Sequence, residues 1–239
     1  SAPLGKVRGP QKLTVHLNVG EKTSNSWDIW VYPRNAQLMQ SDTEVLYTTE
    51  FGEQAKQHLA AGKKVVLTPA PNKVKGRKST FHNHFWNPIM FNWNPMIVGT
   101  RIEHRHPVFR DFPTSYYADW QWWDILNYAM AVDLTDMRAL TPVIQSVDTY
   151  EVNRKLGVSF EARVGSGKLF VLVVDPVKDI EKRPAMQQLL TSVRNYVASD
   201  RFAPTVTLQL YELDALFDYN KIRETETRSD EAVKQLLNQ

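Results

Sequence analysis

Four of the six histidines in this chain fall into two H-x-H pairs, His82 with His84 and His104 with His106. On extended backbone each pair turns two imidazoles to one face, a spacing that suits a transition metal, and a carboxylate such as Glu103 or Asp111 could complete the set. The ordinary alternative is a hydrogen-bonding histidine, and no stronger ligand motif accompanies either pair. The expectation is therefore no metal and no other cofactor, with these four histidines as the candidates should a metal be found. Glu103, Asp111, Asp119, Asp124 and Glu161 offer a second chemistry, because two carboxyl groups roughly 5–9 Å apart across a cleft hydrolyse glycosides. A chain with 26 acidic residues supplies such pairs freely, and most acids are solvated or cap helices.

Nucleophilic catalysis has less to work with. The absence of cysteine removes disulfides, thiolate ligands and thiol nucleophiles together. Serine, histidine and aspartate are present without a G-x-S-x-G elbow, and no phosphate-binding loop pattern occurs.

The densest feature is aromatic. Between Phe81 and Trp123 lie five of the seven tryptophans, interleaved with His, Asn, Asp, Arg and Pro at neither helix nor strand period. Long ordered loops of this kind tend to be functional. A pyranose presents a C–H face to an aromatic ring and hydroxyls to polar side chains. Trp86, Trp93, Tyr116, Tyr117, Trp120 and Trp122 are candidate rings for such a sugar platform, with Asn83, His84, Arg110, Asp119 and Gln121 as polar partners. Two other readings use the same residues: a lid packed over a sheet edge, and a protein interface, since Trp, Tyr and Arg also make interface hot spots.

The elements that must carry these residues follow from periodicity. LTVHLNV and WDIWVYP, within Leu13 to Tyr32, alternate as two antiparallel strands, which alone are marginally stable and need a surface to pack on. EVLYTT, a helix capped by Thr49 and ended by Gly62, and KKVVLTP read as a strand–helix–strand unit with parallel strands. A helix is expected over residues 120–132. PVIQSVD, VSFEARV and KLFVLVVD follow as strands, the last two joined as a hairpin through Gly165-Ser166-Gly167, and a helix then opens at Pro184. These elements predict an α/β fold: a three-layer, mostly parallel sheet over residues 43–205, with a two-strand segment at 1–34 and a strand and helical tail at 206–239.

Composition limits the partners. With 42% hydrophobic residues the chain buries a real core, and a net charge of +3 is spread along it. The one dense basic group, Lys73, Lys75, Arg77 and Lys78, is too short for a nucleic-acid stripe. No apolar run reaches the roughly 18 residues of a membrane span, and the N-terminus lacks a hydrophobic signal core.

The string HPVFRDFPTSYYADWQWWDIL, with FHNHFWNP before it and NRKLGVSFEARVGSGKLFVLVVD and RNYVASDRFAP after it, resembles the C-terminal region of bacterial β-galactosidase-like glycoside hydrolases of family 2, of the type common in polysaccharide-degrading Bacteroidetes. NSWDIWVYP resembles the end of the Ig-like β-sandwich that precedes that region, and the likeness extends over about residues 24–204. The resemblance implies a domain similar to the class I glutamine amidotransferases, a flavodoxin-like three-layer fold. Glutaminase chemistry there needs a nucleophilic cysteine, which is lacking. The catalytic glutamates of family 2 stand on a separate (β/α)8 barrel of roughly 250 residues, for which this chain has no room, so no catalytic residue carries over. What it implies is a non-catalytic, carbohydrate-associated accessory domain of a longer hydrolase, periplasmic or extracellular, whose partners are carbohydrate and the other domains of its parent, with neither nucleic acid nor a membrane span. A free-standing hydrolase or metal-dependent enzyme on the same fold, and a purely structural packing domain, are the alternatives.

Overall fold

The computed structural model describes residues 4–33, 40–70, 73–81, 97–150 and 152–217. Strands β1 (Gln11–Val19) and β2 (Thr23–Val31) pair antiparallel as their alternation predicts, with Gly20 at φ 62° in the turn, where a Cβ would be strained. Register puts Leu13, Val15 and Leu17 opposite Ile29, Trp27 and Asn25, so one face of the ribbon is apolar. That face is largely exposed. The strand pair forms as expected, but its expected packing on the main domain does not: Trp27 stays 48% exposed, and contact is made just beyond β2, where Tyr32 stacks on Phe112 at 6.3 Å between ring centroids.

The strand–helix–strand unit forms with parallel strands. β3 (Val45–Thr48) and β4 (Lys64–Leu67) run in parallel register around α1 (Glu53–Ala60), and Gly62 ends the helix at φ 78°. Thr49 is not its cap. The Thr48 hydroxyl accepts from the Glu50 N–H in a local turn at 3.1 Å, which delays the helix until Gly52 and Glu53. β5 (Gly76–Lys78), β6 (Ile97–Ile102) and α2 (Trp122–Asn127) follow. The helix expected over 120–132 stops at Asn127 because the backbone beyond is recruited to the sheet: Ser79 N–H donates to Ala129 O, and Met130 N–H to Val173 O, each at 3.0 Å. β7 (Met130–Asp133), β8 (Ile144–Asp148), the hairpin β9 (Lys155–Val164) and β10 (Gly167–Leu172), α3 (Pro184–Ala198) and α4 (Leu210–Phe217) complete the described chain.

The sheet corrects the expected class. Its order is β3-β4-β10-β9-β7-β5, with β8 also on β9 and β6 on β8. Among the described strands only β3–β4 and β4–β10 pair in parallel, and the remaining strand pairings are antiparallel, so the three-layer, mostly parallel domain does not form. The reason lies in the connections. A helix crosses between β3 and β4, but β9 turns directly into β10, and an immediate return of the chain forces an antiparallel pair. β9 then presents its residues 155–159 to β8 as well as 156–157 to β7, which extends the sheet by antiparallel additions.

Strands β4 and β10 are apolar on both sides, and both sides are covered. Val65, Leu67, Leu169 and Val171 join α1 and α4 through Leu59, Leu213 and Leu216. Val66, Phe170 and Leu172 face α2 and α3 through Trp122, Leu126, Met186 and Val193. Among the described residues no helix is long and apolar enough to cross a membrane.

Arg183 ties α2 to α3. Buried at the helix junction, its Nε donates to both Asp124 carboxylate oxygens at 2.8 and 3.0 Å, and its Nη1 to the carbonyls of Asp175 and Lys178 at 2.7 and 3.1 Å. Its guanidinium also lies 4.8 Å from the Tyr128 ring. Its Nη2 donates to the Asp124 carbonyl as well, so Arg183→Ala leaves a carboxylate and three carbonyls without their donor and should cost about 3–5 kcal/mol in denaturant unfolding. Arg183→Lys should recover little of this, because one ammonium cannot reproduce the fork.

Candidate ligand-binding site

The aromatic segment divides into a buried anchor and an exposed row. Pro107–Phe109 is a single 3-10 turn, followed by Phe112 and then Trp122 at the head of α2. The Trp122 ring lies 5.2 Å from Phe112 and 6.0 Å from Phe109, both edge-on, and is 0% exposed. Its indole N–H donates to Thr114 Oγ1 at 2.8 Å, which satisfies its polar handle within the core. Gln121, also buried, donates through Nε2 to Pro113 O at 2.8 Å and accepts from the Tyr32 hydroxyl at 2.7 Å. Trp122 and Gln121 therefore leave the set of sugar-contacting candidates: an enclosed ring has no face to stack, and both groups of this amide are engaged.

Tyr116, Tyr117 and Trp120 point outward, 54%, 64% and 73% exposed. Their backbone is fixed. Ile102 N–H donates to Tyr116 O at 2.7 Å and Ala118 N–H to Thr100 O at 3.3 Å, so residues 116–118 run antiparallel beside β6. Trp120 follows in a turn closed by Trp122 N–H on Asp119 O at 2.9 Å, and its ring rests against Phe81 at 5.3 Å. Arg101 on β6 lies 5.5 Å from the Tyr116 ring, donates to the Tyr116 hydroxyl at 3.1 Å, and reaches Glu103 at 2.7 Å.

Asp119 adjoins Trp120 in this turn. Burial pushes its carboxyl up to about 6, against the opposing effect of hydrogen bonds from Gln121. Its Oδ2 accepts from Gln121 Nε2 at 3.4 Å, while Oδ1 is enclosed with no donor. The hydroxyl of Tyr32 nearby is pushed above its usual range by burial and then by the charge of Asp119.

The other sequence candidates scatter. His82, Asn83, His84, Trp86 and Trp93 lie outside the described residues. His104 sits edge-on to Tyr116 at 6.2 Å with Nδ1 enclosed and unpartnered. His106 caps the 3-10 turn, its Nδ1 accepting from Val108 N–H at 3.3 Å, and its Nε2 lies 3.6 Å from Glu161. The capping role explains why this histidine precedes Pro107. Among the described residues no group of three or more His, Asp or Glu is arranged to hold a metal ion. Arg110 is exposed and pairs with Asp111 at 3.2 Å, and Asp111 also accepts from Asn195 at 2.8 Å.

Glu161 does meet one of the expected partners. With Glu103 and His106 it lines a cleft of about 230 Å³, and it accepts a 2.7 Å hydrogen bond from Tyr196 on α3. Arg101, Tyr32 and Tyr196 were invisible as site residues in the sequence. Arg101 at the end of β6 and Glu103 just beyond it carried the one available signal, since a spacing of two on extended backbone puts them on one face.

Residues 1–33 match a family model described as Domain of unknown function (DUF8488), and residues 46–218 match one described as Domain of unknown function (DUF8487). Neither description names an activity or ties the chain to the family 2 hydrolases. Comparison with curated proteins gives no match. The longer match takes in nearly all of the eight-stranded sheet together with the exposed aromatic row and the Glu161 cleft, and on that extent the chain belongs to the DUF8487 family.

Proposed function

We propose that this protein is a non-catalytic, carbohydrate-associated domain that binds sugar on the row formed by Tyr116, Tyr117 and Trp120. The observation that carries the reading is the contrast within one turn: Trp120 is the most exposed of the described tryptophans, while Gln121 and Trp122 beside it are buried. Exposed rings held by a hydrogen-bonded backbone lose little freedom on binding, so more of the stacking energy remains as affinity. Asp119 adjoins Trp120, and with Oδ1 enclosed only its Oδ2 is left as an acceptor for a ring hydroxyl, while Arg101 beside Tyr116 is the donor. The resemblance to accessory regions of family 2 glycoside hydrolases supports the same reading, and with it carbohydrate and the other domains of such a hydrolase as partners.

A second reading has one observation in its favour. Glu103, His106 and Glu161 line a single cleft, so a carboxylate-based hydrolase is chemically conceivable there. Both nitrogens of His106 are occupied, one by the turn and the other facing Glu161, and Glu161 already accepts from Tyr196. These commitments favour a structural cluster. Nitrophenyl galactosides should not be turned over by the chain; turnover abolished by Glu161→Gln would put the hydrolase reading first.

Binding is measured by quenching of tryptophan fluorescence with neutral plant and host glycan fragments. The expected affinity is about millimolar, and Trp120→Ala should weaken it at least about tenfold while changing stability by under about 0.5 kcal/mol. Trp122→Ala should instead cost about 3–5 kcal/mol of stability. No glycan binding across a broad panel, or equal stability losses for Trp120→Ala and Trp122→Ala, would remove the platform.

Asp119 gives a pH signature. Its folded value of about 6 lies above the ordinary 3.8, so the fold binds the proton more tightly than the unfolded chain does. The stability this contributes is fully present below about 3.8 and is lost as pH rises through about 6. Asp119→Asn should therefore gain on the wild type in Tm as pH rises across that window. A sugar hydroxyl donating to the ionised carboxylate reverses the preference, so glycan binding should strengthen over the same range.

A further inference from the structure

Next to the aromatic row is a second concavity of about 360 Å³, at the lower end of the size range for small-molecule pockets. Arg105, Arg110 and Arg201 line it, with His104 and His106, over a floor of Pro107 and Phe109. No carboxylate is among the lining residues. Three arginines elsewhere are matched to acids: Arg101 to Glu103, Arg154 to Asp148 and Arg183 to Asp124. In this cleft Arg110 is ion-paired with Asp111, whose carboxylate also feels Arg201 at longer range, while Arg105 and Arg201 make no direct ion pair among the described residues. Of the two acids nearest the wall, one neutralises Arg110 of the wall itself and the other is engaged away from it. Asp111 holds Arg110 and Asn195, and Glu161 takes the Tyr196 hydroxyl and lies against His106 Nε2.

Like charges gathered in a concavity repel one another and are stabilised by an anion bound between them. A guanidinium also offers paired N–H groups that match the two oxygens of a carboxylate or of a sulfate ester. The cleft is joined to the platform through His104, which lines the one and packs edge-on against Tyr116 of the other. We propose that the ligand is an anionic saccharide, its neutral rings on Tyr116, Tyr117 and Trp120 and its carboxylate or sulfate in the Arg105–Arg201 cleft. This rests on the carbohydrate reading above and narrows it to a substrate class. Asp119 lies on the platform side and does not line the cleft, so its ionisation opposes the arginines only at a distance.

The test titrates the full chain with four probes: a neutral galacto-oligosaccharide, an oligogalacturonate, a sulfated galactan oligosaccharide and inorganic sulfate. The acidic saccharides should bind at least tenfold more tightly than the neutral one at low salt, and the gap should shrink as salt is raised. Comparison of the uronate with the sulfate ester shows which anion the cleft prefers. In an Arg105→Gln, Arg201→Gln double variant, checked for folding by circular dichroism, the preference should vanish while binding of the neutral sugar remains; Trp120→Ala should weaken all three saccharides. Acidic and neutral saccharides binding equally, or a preference that survives the double variant, would overturn the anionic class and leave the platform standing. Failure of every saccharide to bind sinks both, and binding of inorganic sulfate alone would leave an anion site with no sugar attached to it.

Discussion

One indole organises the functional half of this protein. Trp122 lies between Phe109 and Phe112 with its N–H satisfied by Thr114, so residues 109, 112, 114 and 122 are held around a single buried ring. Everything between them is constrained as a consequence. The chain from Ser115 to Asp119 has to bridge Thr114 and α2, and it does so by lying along β6 with Tyr116 and Tyr117 exposed. The polar side of the same anchor is Gln121, whose amide clamps Pro113 on one side and Tyr32 on the other. The terminal ribbon is thus tied to the same point that fixes the aromatic row.

The sheet supplies the frame for that anchor through β9. It pairs with β10, β7 and β8 and forms a bridge between Arg163 and Thr207, so elements far apart in sequence share one strand. Gly167 at the start of β10 marks the tightest approach: a Cβ there would lie 2.5 Å from the carbonyl oxygen of Leu59 in α1. The absence of a side chain lets the helix sit directly on the hairpin turn. The glycine that reads in sequence as turn punctuation is in the structure also a packing requirement.

What was legible followed from period and punctuation. β1 and β2, the unit from β3 to β4, the hairpin of β9 and β10, and α3 after Pro184 all carry their signals within a few residues, because alternation, a stop glycine and an N-terminal proline act locally. Strand direction across the sheet was not legible in this way. Short strands such as Gly76–Lys78 and Ile97–Ile102 have little pattern of their own, and they join because β7 and β8 offer them free edges. The site divides on the same principle. Aromatic composition located the segment, but Trp120, Trp122 and Trp123 are identical in type, and only packing separates the ring that is buried from those that are exposed. The link from His106 to Glu161 and Tyr196 spans three elements, beyond the reach of any local signal.

The position of β4 in the sheet also shapes how the chain is made. β4 is hydrophobic on both faces and pairs with β3 on one edge, but its other partner, β10, follows about a hundred residues later. At synthesis rates of ~5–20 residues per second, that partner reaches β4 only after ~5–20 s. Until then Val65, Val66 and Leu67 stand with one open edge and incomplete cover from α1 alone. A nascent chain in this interval exposes a short apolar strand ready to pair with another copy.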